Sequence, residues 1–311
     1  MDIGSLILSI LGLCVFEVVS SMDNAVVNAD VLSTMDKKWR NWFLVWGIIF
    51  GVFMVRGLLP WVIVWATNPD LGWWGSLTAT FSDNPHVRES MEQSAPILLI
   101  GGGIFLIFLF FHWLFLDHKH FGLPMERFFS HHGAWFFTIV SILLTVLIWL
   151  ALKRDPMMAF AASVGSTFFF ITHGFKEYAA QAEVRMKDNK NLSDFSKLMY
   201  LEVLDATFSI DGVIGAFAFT MSVPIIILGN GLGAIVVRDL TIRGVEKIKE
   251  YPLLKNGAMY SIFFLGLIMI LESFHIDVPS YIAPIITFAV IGFFFFLSVQ
   301  KKRQLQTIKG R

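Results

Sequence analysis

Carboxylates recur inside stretches that are otherwise long and apolar enough to cross a membrane, and few folds tolerate that combination. Residues 97–116, 135–152 and 280–299 contain no Asp, Glu, Lys or Arg. Each run matches the roughly 20 residues a helix needs to span a ~30 Å hydrocarbon core. A backbone in lipid must satisfy its own hydrogen bonds, and continuous apolar runs of this length do so as helices. The composition agrees: 56% of the 311 residues are hydrophobic and only 15% are charged, against about 25% charged in soluble domains. The expected fold class is an all-α polytopic membrane protein.

Hydropathy marks about nine transmembrane helices, at 6–32, 42–65, 97–116, 135–152, 158–175, 198–221, 224–240, 257–274 and 280–299. Lys and Arg collect at 37–40, 176–197, 238–255 and in the tail 301–311, which places those segments in the cytoplasm. The acidic loop 67–95 and the N-terminus then lie outside, with Lys153 and Arg154 the exception. Four parts follow. A first transmembrane half, 1–175, carries a motif at 17–28 and the external loop 67–95. A mixed-charge connector covers 176–197, a second half, 198–300, carries a motif at 202–216, and the tail covers 301–311. The opening Met-Asp-Ile-Gly lacks a basic n-region, so the first run is expected as a retained helix rather than a cleaved signal.

The two motifs echo each other. Glu17, Ser21, Asp23 and Asn24 are spaced as Asp205, Ser209, Asp211 and Gly212. The echo continues downstream: Gly47 and Gly51 lead to Arg56, as Gly229 and Gly233 lead to Arg238. The first motif lies on span one and the second on span six, so the topology makes the repeats inverted. Inverted repeats with an ion site at their interface are a common architecture of secondary transporters.

On a helix turning about 100° per residue, Glu17, Ser21, Asn24 and Asn28 form one polar stripe, and Glu202, Asp205 and Ser209 form its counterpart. Asp23 and Asp211 point away from that stripe on a regular helix. Asn24 and Gly212 tolerate a left-handed backbone, so each helix is predicted to unwind near Ser-x-Asp. Freed carbonyls would then join Glu17, Ser21, Asp23, Asn24, Glu202, Asp205, Ser209 and Asp211 around an ion. An all-oxygen donor set suits Mg²⁺, Ca²⁺ or Mn²⁺ rather than Cu or Zn. So many acids exceed the charge of one divalent ion. They call for pairing with Arg56 and Arg238, as counter-ions or gating groups, or for protonation during transport. The other reading of the same residues is a set of structural ion pairs between helices.

Other signals are weaker. His112, His118, His120, His131 and His132 flank the third connection, where interfacial histidines beside aromatic anchors are a better reading than a metal entry or sensing site. His173, near the end of span five, is a candidate proton carrier. The runs of Phe read as lipid-facing or inter-helix packing. Cys14 is the one cysteine, which excludes a disulfide framework and a thiolate cluster, and a net charge of zero gives no reason to expect nucleic acid. The sequence holds no phosphate-binding Gly-x-x-x-x-Gly-Lys-[Ser/Thr] loop and no Tyr-Asp with Gly-x-Gly-Asp pair of intramembrane proteases. It reads as a transporter rather than an enzyme.

The motif Glu17-x-x-x-Ser21-x-Asp23-Asn24-Ala25 with Ser209-x-Asp211, each followed by a Gly-rich helix and Arg, resembles the TerC family of integral membrane proteins. The long form resembles a bacterial branch first catalogued as a domain of unknown function, within the lysine and cation exporter superfamily. The second copy departs from it in having Gly212 where Asn is common, which leaves Asn24 without a counterpart. The resemblance implies export of Mn²⁺ as the transported ion, with no prosthetic group, from a multi-pass protein of the bacterial inner membrane. The alternative it implies is a membrane scaffold or metallochaperone that supplies metal to secreted proteins, or a role in tellurium resistance. In that case the loop 70–92 would dock secretion machinery, and a homo-oligomer is compatible with either reading.

Overall fold

The computed structural model describes residues 3–49, 56–79, 85–117, 122–188, 193–243 and 250–309; the side chains of Asp23 and Asn24 are outside that description. All regular elements among these residues are helical. The first half holds α1 (Ile3–Ser20), α2 (Met22–Leu32), α3 (Lys37–Ile49), α4 (Leu58–Thr67) and α5 (Gly72–Thr78). It continues through α6 (Pro85–Leu116), α7 (Pro124–Ser130), α8 (Ala134–Leu152) and α9 (Pro156–Asp188). The second half holds α10 (Asp194–Ala216), α11 (Val223–Arg243), α12 (Leu254–Ser273) and α13 (Ile282–Lys309). This is a polytopic all-α membrane protein.

Seven helices among the described residues are long and apolar enough to cross a membrane, drawn from α1, α6, α8, α9, α11, α12 and α13. The other two expected spans differ for physical reasons. Span 42–65 is divided between α3 and the ten-residue α4, with 50–55 outside the described residues. Span 198–221 is α10, a 23-residue helix whose hydropathy is lowered by Glu202, Asp205 and Asp211. The helix that carries the second motif therefore falls outside the seven because of the acids that make the motif.

Local signals set several boundaries. Ser193 caps α10 by accepting a hydrogen bond from the Ser196 amide at 3.2 Å, and Asp194 occupies the first turn. Pro156 opens α9, where the Asp155 carboxylate accepts from the Met157 amide at 2.8 Å. The connector expected at 176–197 is largely helix, because α9 runs on to Asp188. Lys176 consequently sits on that helix.

The predicted unwinding is corrected in the second motif. α10 passes through Asp211 and Gly212 without a break, and Gly72 is the only described glycine with positive φ. In the first motif the helix is interrupted at Ser21 alone, at φ −87° and ψ 5°. The bonds from the Ser21 amide to the Glu17 carbonyl and from the Ala25 amide to the Ser21 carbonyl, both 3.0 Å, bridge that residue. The chain is distorted there but stays hydrogen-bonded, so few carbonyls are released.

The core is aromatic. α6 packs against α9 and α12, while α1 packs against α11 and α13. Phe105, Phe108, Phe136 and Phe169 are buried among them, whereas Phe293, Phe295 and Phe296 on α13 face outward. Trp61 rests on Trp73 with ring centroids 4.1 Å apart and donates its indole N–H to the Trp73 carbonyl at 2.7 Å. Exposed Trp74 completes a belt of the kind found at membrane interfaces.

Candidate ion site

The first motif runs from α1 through Ser21 into α2 and the second lies on α10, and the motif helices pack against helices of the other half: α1 on α11, and α10 on α2 and α3. Glycines make this contact close. A Cβ on Gly233 would stand 2.6 Å from the Glu17 Cβ, and a Cβ on Gly212 only 2.5 Å from Glu17 Oε2. Gly47 likewise leaves no room for a Cβ beside Glu202 and Arg238. Gly212 thus has a different role from the one its backbone freedom suggested. It is the floor on which the carboxylate of the first motif lies, one residue from Asp211 of the second.

Glu17 is completely buried. Its Oε1 accepts from Ser21 Oγ at 2.7 Å, from Arg56 Nη2 at 2.7 Å and from Arg56 Nε at 3.0 Å. Its Oε2 is buried and has no hydrogen-bond partner among the described residues. Arg56 also reaches across the halves, with Nη1 3.6 Å from Asp205 Oδ2. The same oxygen accepts from Arg238 Nη2 at 3.3 Å. Arg238 Nη2 lies 3.6 Å from Glu202 Oε2, Nη1 donates to the Phe43 carbonyl at 2.5 Å, and the guanidinium carbon stands 4.3 Å over the Phe43 ring. Each half therefore pairs the first acid of its motif with the Arg that follows its Gly-rich helix, and Asp205 joins the two pairs.

Asp211 is held apart from this chain. Its Oδ2 is ion-paired with Lys176 of α9, and its Oδ1 is buried without a hydrogen-bond partner among the described residues. Ser209 Oγ donates at 2.5 Å to the carbonyl of Asp205, so it serves its own helix, unlike Ser21. Asn28 and Asn230 are buried, each with an Oδ1 that has no hydrogen-bond partner among the described residues. Asn230 Nδ2 approaches the Gly212 carbonyl at 3.4 Å. Asp23 and Asn24 fall outside the described side chains.

Among the described residues the carboxylates of Glu17, Glu202, Asp205 and Asp211 are thus interleaved with the cations of Arg56, Arg238 and Lys176. Unpaired charges at this depth would be costly, and pairing with hydrogen bonding offsets much of that cost. The guanidinium groups stand between the acids. Accordingly, no group of three or more His, Cys, Asp or Glu among the described residues is arranged to hold a metal ion. An ion that met several of these carboxylates together would have to displace a bridging cation.

The histidines separate. His131 and His132 are exposed just past the end of α7, with Nδ1 2.6 Å and 2.8 Å from the carbonyls of Arg127 and Phe128 in that helix. His118 and His120 lie outside the described residues. His112 instead sits inside the bundle against His173, ring centroids 3.7 Å apart.

Two buried polar features had little sequence signal. Lys176 follows His173 in an apolar helix and looked like part of a loop. Glu126 is completely buried in the short α7 and accepts from the Leu123 amide at 2.9 Å and from Asn256 Nδ2 at 2.6 Å. It ties the segment between α6 and α8 to α12.

The chain is similar to an uncharacterized membrane protein, YceF, of Bacillus subtilis (strain 168), 28% identical over 120 residues, or 38% of this chain and 47% of that protein. An uncharacterized membrane protein of Rickettsia felis (strain ATCC VR-1525 / URRWXCal2) is 25% identical over 111 residues, 36% of each chain. The chain spans less than half the length of these curated relatives. No solved structure matches it significantly. The family model described as a protein of unknown function, DUF475, matches residues 22–305, and the chain belongs to that family.

Proposed function

We propose that this protein is a secondary transporter that exports a divalent cation, with Mn²⁺ as the leading substrate, through the interface of its two repeated motifs. The observation that carries this reading is the contact between them. The buried Glu17 carboxylate rests on Gly212 beside Asp211, with Glu17 Oε2 and Asp211 Oδ1 both buried and free of hydrogen bonds among the described residues. Buried carboxylate oxygens with acceptor capacity to spare suit a hard cation. The buried acids attract a cation, and their Arg and Lys partners give them a stable state when no metal is present. The resemblance to the TerC family supports Mn²⁺ over Ca²⁺ or Mg²⁺, and the inner membrane of a bacterium as the location. Exchange with protons would balance the charge moved.

The test is metal accumulation under Mn²⁺ stress in cells that lack their own Mn²⁺ exporter. Wild type is expected to lower cellular Mn, and Asp23→Asn and Asp211→Asn to fail at normal membrane abundance. Equal Mn content in all three strains and in cells without the protein would sink the proposal. Proton exchange fails separately if purified protein in vesicles moves Mn²⁺ at a rate indifferent to the pH gradient.

A further inference from the structure

Apart from the Arg-bridged acids, a cavity of about 770 Å³, open on one side, lies between α1, α6, α8, α9, α10 and α12. Its polar contents are graded. At one end Lys255 pairs with Asp117 at 3.2 Å, and both side chains are about one-third to one-half exposed (45% and 34%). At the other end Lys176 pairs with Asp211, where the side chains are only 12% and 15% exposed. The rings of His112 and His173, in contact and tilted by 49°, also line the cavity, and His112 Nδ1 is 3.9 Å from Asp117. A polar strip therefore runs from an exposed ion pair to a buried one. Beyond Asp211 the next residue is Gly212, against which Glu17 lies.

We infer that this cavity is the route by which the cation reaches the motifs, and that the Lys176 ammonium is a tethered stand-in for it, occupying Asp211 until a divalent ion displaces it. The inference rests on the cation-transport reading. Lysine suits the part. Its ammonium is a compact point charge on a flexible four-carbon stem, and it holds a carboxylate without the two-pronged grip of a guanidinium. The cavity gives the displaced head group room to swing toward the polar strip while its stem stays on the apolar wall, as a snorkelling lysine does. Asp211 keeps Oδ1 clear of hydrogen bonds among the described residues, so an incoming ion has an oxygen to meet before the ammonium leaves. Exchange of one cation for another at Asp211 also spares the protein a bare buried carboxylate at any stage.

A displaceable competitor and a structural ion pair predict opposite mutational patterns. Protein in proteoliposomes would be assayed for the Mn²⁺ concentration that gives half-maximal uptake. Lys176→Gln removes the competitor and is expected to lower that concentration roughly tenfold. Lys176→Arg installs a fork that grips both carboxylate oxygens and is expected to raise it by a similar factor. In an Asp211→Asn background Lys176→Gln should have no further effect. The inference is overturned if Lys176→Arg behaves as wild type while Lys176→Gln weakens uptake as much as Asp211→Asn does. A second measurement serves if Lys176→Gln fails to fold. With Cys14→Ala, a cysteine placed by Ser20→Cys, which lines the cavity, should react with a charged membrane-impermeant thiol reagent and be protected by Mn²⁺. No reaction, or reaction without protection, overturns the route. If wild type moves no Mn²⁺ while the cysteine still reacts, the transport reading fails, and this inference with it. If wild type moves Mn²⁺ but the Lys176 pattern is reversed, only the inference fails.

Discussion

Arg56 of the first half stands 3.6 Å from Asp205 of the second while it holds Glu17 at 2.7 Å. One guanidinium thus ties the two motifs together in a site where Arg56 and Glu17 are 2% and 0% exposed. Removing one member of a buried pair leaves the other charge uncompensated, at a cost of about 3–5 kcal/mol. Arg56→Gln should therefore lower the melting temperature of the purified protein sharply. The double variant Arg56→Gln with Glu17→Gln removes both charges and should recover a large part of that loss. If the double variant is as unstable as the sum of the two single ones, the residues are not coupled.

The latch formed by Glu126 gives a separate prediction, far from the motifs. Asn256 Nδ2 donates to Glu126 Oε2 at 2.6 Å, in a place closed to water. Asn256→Ala leaves a buried carboxylate short of a donor, which costs about 1.5–3 kcal/mol for a hydrogen bond to a charged group. Thermal melting should fall accordingly. Asn256→Asp should do more harm than Asn256→Ala, because it places two carboxylates together. A melting temperature unchanged by either substitution would show that Glu126 does not depend on Asn256.

Much of this was legible in the chain, and the exceptions have a common cause. The apolar runs of α6, α8 and α13 announce themselves because lipid imposes a length and forbids charge. The Glu17–Arg56 and Asp205–Arg238 pairs follow from the repeat, since equal spacing after equal motifs brings equal groups together. The same repeat points to Asp211 as a ligand, but its partner, Lys176, comes from a helix outside both copies. Nothing in a periodicity reports which third element packs between two others. Gly212 shows a different limit. Its freedom at positive φ and its lack of a Cβ are equally good reasons for glycine, and only the approach of Glu17 shows which one applies.

That distinction is itself testable by pairing two glycines in helices. Replacing glycine by alanine within a helix ordinarily stabilises it by about 0.5–1 kcal/mol. Gly174 on α9 has nothing within 4 Å of a built Cβ, so Gly174→Ala should raise the melting temperature slightly and leave metal handling unchanged. At Gly212 the same methyl would meet Glu17 Oε2 at 2.5 Å, well inside contact distance and in a wall formed by Gly233 on the opposite side. Glu17 cannot retreat toward Gly233, because its own Cβ already fills that space. Gly212→Ala should therefore cancel the helical gain, push the carboxylate off its floor and abolish the lowering of cellular Mn at normal abundance. Were Gly212→Ala as stabilising and as active as Gly174→Ala, the contact between the two motifs would not be where the ion is handled.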